Sequence, residues 1–97
     1  MADPRVQEHQ KVKEFRDLVS GTIGDLRLAT TPSALARAID QHLPGWETAD
    51  PDFAAVLRDL RGQAYAMGPQ HLRAVSAKLC EHLQVNLDWI DKSLQKL

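Results

Sequence analysis

The 97-residue sequence predicts an all-α fold, and three observations carry the prediction. Apolar residues recur at steps of three and four along most of the chain, the spacing that gathers side chains on one face of a helix. No stretch alternates apolar and polar residues for long enough to make a strand, and Val and Ile, which favour strands, are few. Thr31-Pro32 and Asp50-Pro51 each set a capping residue before a proline, and this pair opens helices: the cap side chain accepts a free backbone N–H, and proline has none to leave unpaired. The expected architecture is one compact domain over residues 1–97, a bundle of five to six short helices with residues 1–7 as a frayed start.

The first helix is expected from Pro4 to about Val19, with Val12, Phe15, Leu18 and Val19 buried and Lys11, Lys13, Glu14, Arg16 and Asp17 in solvent. Gly21 and Gly24 interrupt the pattern, so this element is expected to bend or split there, with Ile23, Leu26 and Leu28 forming a short extra turn. A second helix starts at Thr31-Pro32, buries Leu35, Ala36, Ile39 and Leu43, and is expected to stop near His42, because Pro44 disfavours helical geometry in the residue before it. His42 to Asp52 then reads as a loop holding Trp46 among Glu47, Asp50 and Asp52. From Asp50 a regular stripe of Phe53, Val56, Leu57, Leu60, Ala64 and Met67 predicts the central helix, closed by Gly68-Pro69. The remainder is expected to form two helices joined by a tight turn at Gln84–Asn86, the first buried through Leu72, Val75, Leu79, Cys80 and Leu83, the second through Leu87, Ile90, Leu94 and Leu97. Phe53, Leu57, Leu60, Leu72, Leu79, Leu83, Ile90 and Leu94 are the expected common core.

Composition narrows the function more by exclusion than by assertion. A 43% hydrophobic and 26% charged chain has the balance of a globular domain rather than a disordered one. Twelve basic against thirteen acidic residues leave a net charge of −1, which supplies no field to attract nucleic acid or an anionic membrane surface. No apolar run is long enough to span a bilayer, none resembles a signal peptide, and the single Cys80 cannot form an internal disulfide, so a cytoplasmic setting is expected. Cys80 lies on an apolar face and reads as a buried thiol; with His82 two residues away on the same helix, the pair cannot share a metal. No motif for phosphate cradling, nucleophilic catalysis or zinc hydrolysis is present. Neither an enzyme nor a cofactor is therefore expected.

Two resemblances remain. Leu79, Cys80, Leu83, Val85, Asn86, Ile90 and Leu94 resemble the spacing of helix-turn-helix units: a small residue early in the first helix, a cap after the turn, and a buried branched residue beyond it. The resemblance implies a DNA-binding regulator using Asn86, Trp89, Lys92 and Lys96. Against it stand Gln84 where those units carry glycine, and Asp88 and Asp91 where phosphates would lie. The order of elements, a bent first helix, a short second and three longer ones, resembles the six-helix death-like interaction fold, without any motif specific to that family. That likeness implies charged faces docking on a second copy or on another protein. The leading expectation is thus a protein-protein interaction or adaptor module. Its contact residues would be Trp46, Glu47, Asp50 and Asp52 on one face and Lys11, Lys13 and Arg16 on another, because an aromatic anchor ringed by carboxylates suits a partner surface. Nucleic acid and membrane are disfavoured as partners.

Overall fold

Four α-helices and one 3-10 turn make up the computed structural model, which describes residues 4–96, with side chains from residue 8. They are α1 (Pro4–Leu28), α2 (Pro32–Ala49), α3 (Pro51–Gln63) and α4 (Pro69–Lys96), with the 3-10 turn Ala64–Ala66 following α3. The all-α class holds, and the count of five to six helices is corrected to four. Of the start expected to fray, residues 1–3 lie outside the described residues and residues 4–7 already belong to α1.

Short connections, three residues between α1 and α2, one between α2 and α3, and five including the 3-10 turn between α3 and α4, make consecutive helices run antiparallel. Thr31 caps α2 by accepting the N–H of Ala34 at 3.1 Å, and Asp50 caps α3 by accepting that of Phe53 at 3.2 Å, both as the sequence predicts. The pairing is read from contacts distant in sequence. Arg16 meets Asp91, and Cys80 Sγ lies 3.9 Å from the carbonyl of Ile23, so α1 and α4 are antiparallel. Asp25 meets His42 between α1 and α2, while Asp40 meets Arg61 between α2 and α3. The resulting up-down-up-down bundle measures 51 × 22 × 19 Å. Its long axis follows from α4, whose 28 residues span about 42 Å at 1.5 Å per residue. Two helices pack on two others each: α1 lies between α4 and α2, and α2 between α1 and α3; α3, expected to be central, packs chiefly on α2.

The α3 helix ends at Gln63 and gives way to the 3-10 turn, short of its expected close at Gly68-Pro69, and three predicted breaks are overturned. First, α1 runs through Gly21 and Gly24 without a break. No described residue has a positive φ, so neither glycine serves a turn. At Gly21 the space a Cβ would take lies 3.2 Å from the His42 ring, so its smallness admits α2. Second, α2 continues through Pro44 to Ala49, replacing the expected loop. Pro44 and Asp40, whose carbonyl loses its helical partner, are both exposed, so water can satisfy what the proline leaves open. Third, α4 has no turn at Gln84–Asn86. Its apolar residues keep helical phase across that stretch, through Leu79, Leu83, Leu87, Ile90 and Leu94, so one helix turns them all toward the core; Leu97 lies outside the described residues.

Among the expected core residues, Leu57, Leu60, Leu72, Leu83 and Ile90 are buried, and Phe53, Leu79 and Leu94 pack half-buried against them. Val19, Ile23, Leu26, Leu35, Ile39 and Trp46 belong to the same cluster, together with Cys80 and several alanines.

The continuity of α1 has a measurable consequence. Nothing lies within 4 Å of a Cβ added at Gly24, so Gly24→Ala should stabilise the protein by about 0.5–1 kcal/mol through helix propensity and a less flexible unfolded chain. A loss of stability in denaturant melts would show that the chain needs a hinge there.

Candidate functional site

The predicted contact residue Trp46 is 2% exposed and belongs to the core. Its indole Nε1–H donates to Thr22 Oγ1 at 2.9 Å, and the Thr22 hydroxyl donates in turn to the carbonyl of Leu18 at 2.7 Å. Phe15 meets the indole edge-on, with ring centres 5.6 Å apart and planes at 79°, and Phe53 lies tilted against it at 4.3 Å. The side chain thus joins α1, α2 and α3. A residue so enclosed cannot anchor a partner from a loop, and the expectation for Trp46 is corrected on that ground.

The rest of the predicted acidic set stays in solvent with local partners. Glu47 accepts from Arg58 at 3.1 Å, linking α2 to α3; Asp50 is occupied as the α3 cap; Asp52 lies in the first turn of α3, where a carboxylate is favoured by the helix dipole. In the basic set, Lys11 and Lys13 are exposed on α1, while Arg16 is bound to Asp91 of α4, which raises its already high pKa. The Arg61–Asp40 pair is bidentate, at 2.5 and 2.9 Å, yet both groups are about half exposed, and exposed pairs contribute only ~0–1 kcal/mol. These ion pairs set the register between helices more than they stabilise the fold.

Of the alternative DNA-contact set, Asn86, Trp89, Lys92 and Lys96 are all exposed, but on one uninterrupted helix. The helix-turn-helix geometry is therefore corrected: no turn separates a positioning helix from a recognition helix. Asp88, one residue before Trp89, is exposed as well and accepts from Gln84 at 3.1 Å.

One part of each predicted set does meet. Trp46 and Asp50 from the first, and Asn86 and Trp89 from the second, line a notch of about 180 Å³ where the α2–α3 junction abuts α1 and α4. Phe15 and Phe53 form its floor with Trp46, and His82 joins the rim. The notch is too small for a typical ligand pocket of ~300–1,000 Å³. Its prominent feature is Trp89, 70% exposed, with Val85, 65% exposed, one turn before it on the same helix. Four residues apart, the two side chains stand next to each other on the outside of α4. The sequence held the signal: both fall outside the phase of the α4 apolar stripe once α4 is read as one helix.

Burial raises the Cys80 pKa, against a smaller opposite effect of Arg27, and keeps the thiol neutral; no group of three or more His, Cys, Asp or Glu that could hold a metal occurs among the described residues. No helix among them is long and apolar enough to cross a membrane. No family model, no curated protein and no solved structure matches this chain.

The assignment of Trp46 to the core predicts a loss of about 3–5 kcal/mol for Trp46→Ala and about 1–3 kcal/mol for Thr22→Val, which strands the indole N–H. Urea melts in which Trp46→Ala costs less than 1 kcal/mol would return Trp46 to the surface.

Proposed function

We propose that this chain is a non-catalytic protein-protein interaction module, and that its partner docks on the outer face of α4 over Val85 and Trp89. The observation that supports this reading is the exposure of these two large apolar side chains side by side, on a chain whose other tryptophan is fully enclosed. Trp carries ~150–250 Å² of surface and is enriched among the residues that dominate interfaces. Beside it, the notch offers a place for one apolar side chain of the partner, and His82, Asn86 and Asp50 offer polar contacts around it. Asp88 and Lys92 flank Trp89 with opposite charges. Charged groups at such a rim act on encounter rate and on choice of partner more than on affinity. Binding of duplex DNA is disfavoured in this reading, because Asp88 stands on the same exposed face and the chain as a whole carries no positive excess. A cytoplasmic setting suits the reduced Cys80 thiol.

A photo-reactive residue placed at Val85 should form crosslinks in cells that the same residue at Arg37, on the exposed side of α2, does not. Trp89→Ala should weaken binding of the crosslinked partner by a factor of about 30 or more, the equivalent of 2 kcal/mol, while thermal unfolding stays within about 2 °C of the parent. Equal crosslinking from both positions, or undiminished binding by Trp89→Ala, would remove the α4 face from the interaction.

A further inference from the structure

On the opposite flank of α4 an elongated cavity of about 640 Å³ lies between that helix and the end of α1. The volume falls within the ~300–1,000 Å³ of small-molecule sites. Along α4 it runs from Arg73 to Val85, about 18 Å at 1.5 Å per residue. Small side chains make it concave: Ala29 from the α1–α2 connection, and Ser76, Ala77 and Cys80 from α4, with Leu26 as an apolar wall. The Cys80 thiol is kept neutral by burial, so it adds to this apolar surface rather than supplying charge. Ser76 is 93% buried by its 7% exposure, and its Oγ has no hydrogen-bond partner, so that hydroxyl would break no bond in turning toward a bound polar group.

Charge decides what the cavity fits. Arg27 and Arg73 both line it, and neither makes an ion pair among the described residues, whereas Arg16, Arg58 and Arg61 do. Arg27 has a second role in the last turn of α1, where a cation offsets the carbonyl end of the helix; Arg73 has none. Two guanidinium groups beside an apolar trough complement a carboxylate on an aliphatic chain, since arginine binds carboxylates through paired N–H groups. Glu81 is the only acidic residue in the lining and lies eight residues from Arg73 along α4, so it opposes a second negative charge farther down the chain.

We propose that this cavity binds a linear aliphatic monocarboxylate, with the carboxylate at Arg27 and Arg73 and the chain lying over Ala77 and Cys80 toward Val85. The site is independent of the partner face proposed above, except that Val85 borders both.

Decanoate, decanol and decyltrimethylammonium titrated calorimetrically below their aggregation limits, at low salt, provide the test. Decanoate should bind saturably and at least tenfold more tightly than decanol, and the ammonium should be weakest. Arg27→Gln with Arg73→Gln should remove the preference for the carboxylate while decanol binding is unchanged. Ala77 is exposed on the rim, so Ala77→Trp should fill the trough and abolish binding without altering thermal unfolding; alkylation of Cys80 should slow several-fold when decanoate is bound to the parent protein. Absence of saturable decanoate binding, equal affinity for the alcohol, or binding indifferent to Ala77→Trp would each overturn the assignment.

Discussion

Burial of the Trp46 indole is the constraint on which the rest of the bundle depends. A side chain of that size is stabilised by removal from water only if its N–H keeps a partner, and Thr22 Oγ1 is that partner, itself anchored to the carbonyl of Leu18. For the two to meet, α1 must be helical through Thr22, which excludes a break at Gly21, and α2 must remain helical past Pro44. Close approach follows. The position a Cβ would occupy at Gly45 lies 2.9 Å from Leu18 Cδ1, so a glycine one residue before the tryptophan lets α1 and α2 close over it. Phe53, three residues past the Asp50 cap, then brings α3 onto the same ring.

Much of this is legible from local rules, and what is not depends on tertiary burial or on competing local likenesses. Helix starts at Thr31-Pro32 and Asp50-Pro51 were readable because capping depends on two or three adjacent residues. The stripe through Leu57, Leu60 and Ala64 and the burial of Cys80 are readable from phase alone; Val56, expected in the same stripe, is instead 52% exposed. Gly21, Gly24 and Pro44 weaken a helix by about 1 kcal/mol each for glycine and about 3 for proline, and tertiary burial outweighs costs of that size. A full indole with two phenyl rings against it is worth more than the bond Pro44 forgoes. At Gln84–Asn86 the sequence held the answer in the unbroken apolar phase from Leu79 to Leu94, and a likeness to helix-turn-helix spacing competed with it. The acidic residues were placed correctly in solvent; the aromatic among them was not, because composition cannot tell which of two tryptophans faces inward.

With Trp46 taken up by the core, α4 is left with two distinct flanks. One carries Trp89 and Val85 in solvent beside an aromatic notch, and the other borders a trough of small side chains with two arginines that make no ion pair among the described residues. Both arise from one property of the sequence: a single 28-residue helix whose buried stripe is narrow leaves most of its circumference uncovered. Since α4 packs mainly on α1, no other described helix closes over those flanks.

The most direct test compares the two indole N–H protons by hydrogen exchange in NMR, assigned with a Trp89→Phe variant. The Trp46 proton, enclosed and bonded to Thr22, should exchange only through global or near-global unfolding, orders of magnitude more slowly than the Trp89 proton in solvent. Fast exchange at Trp46, comparable to that of Trp89, would contradict the account, because the tryptophan that holds α1, α2 and α3 together would then be open to water.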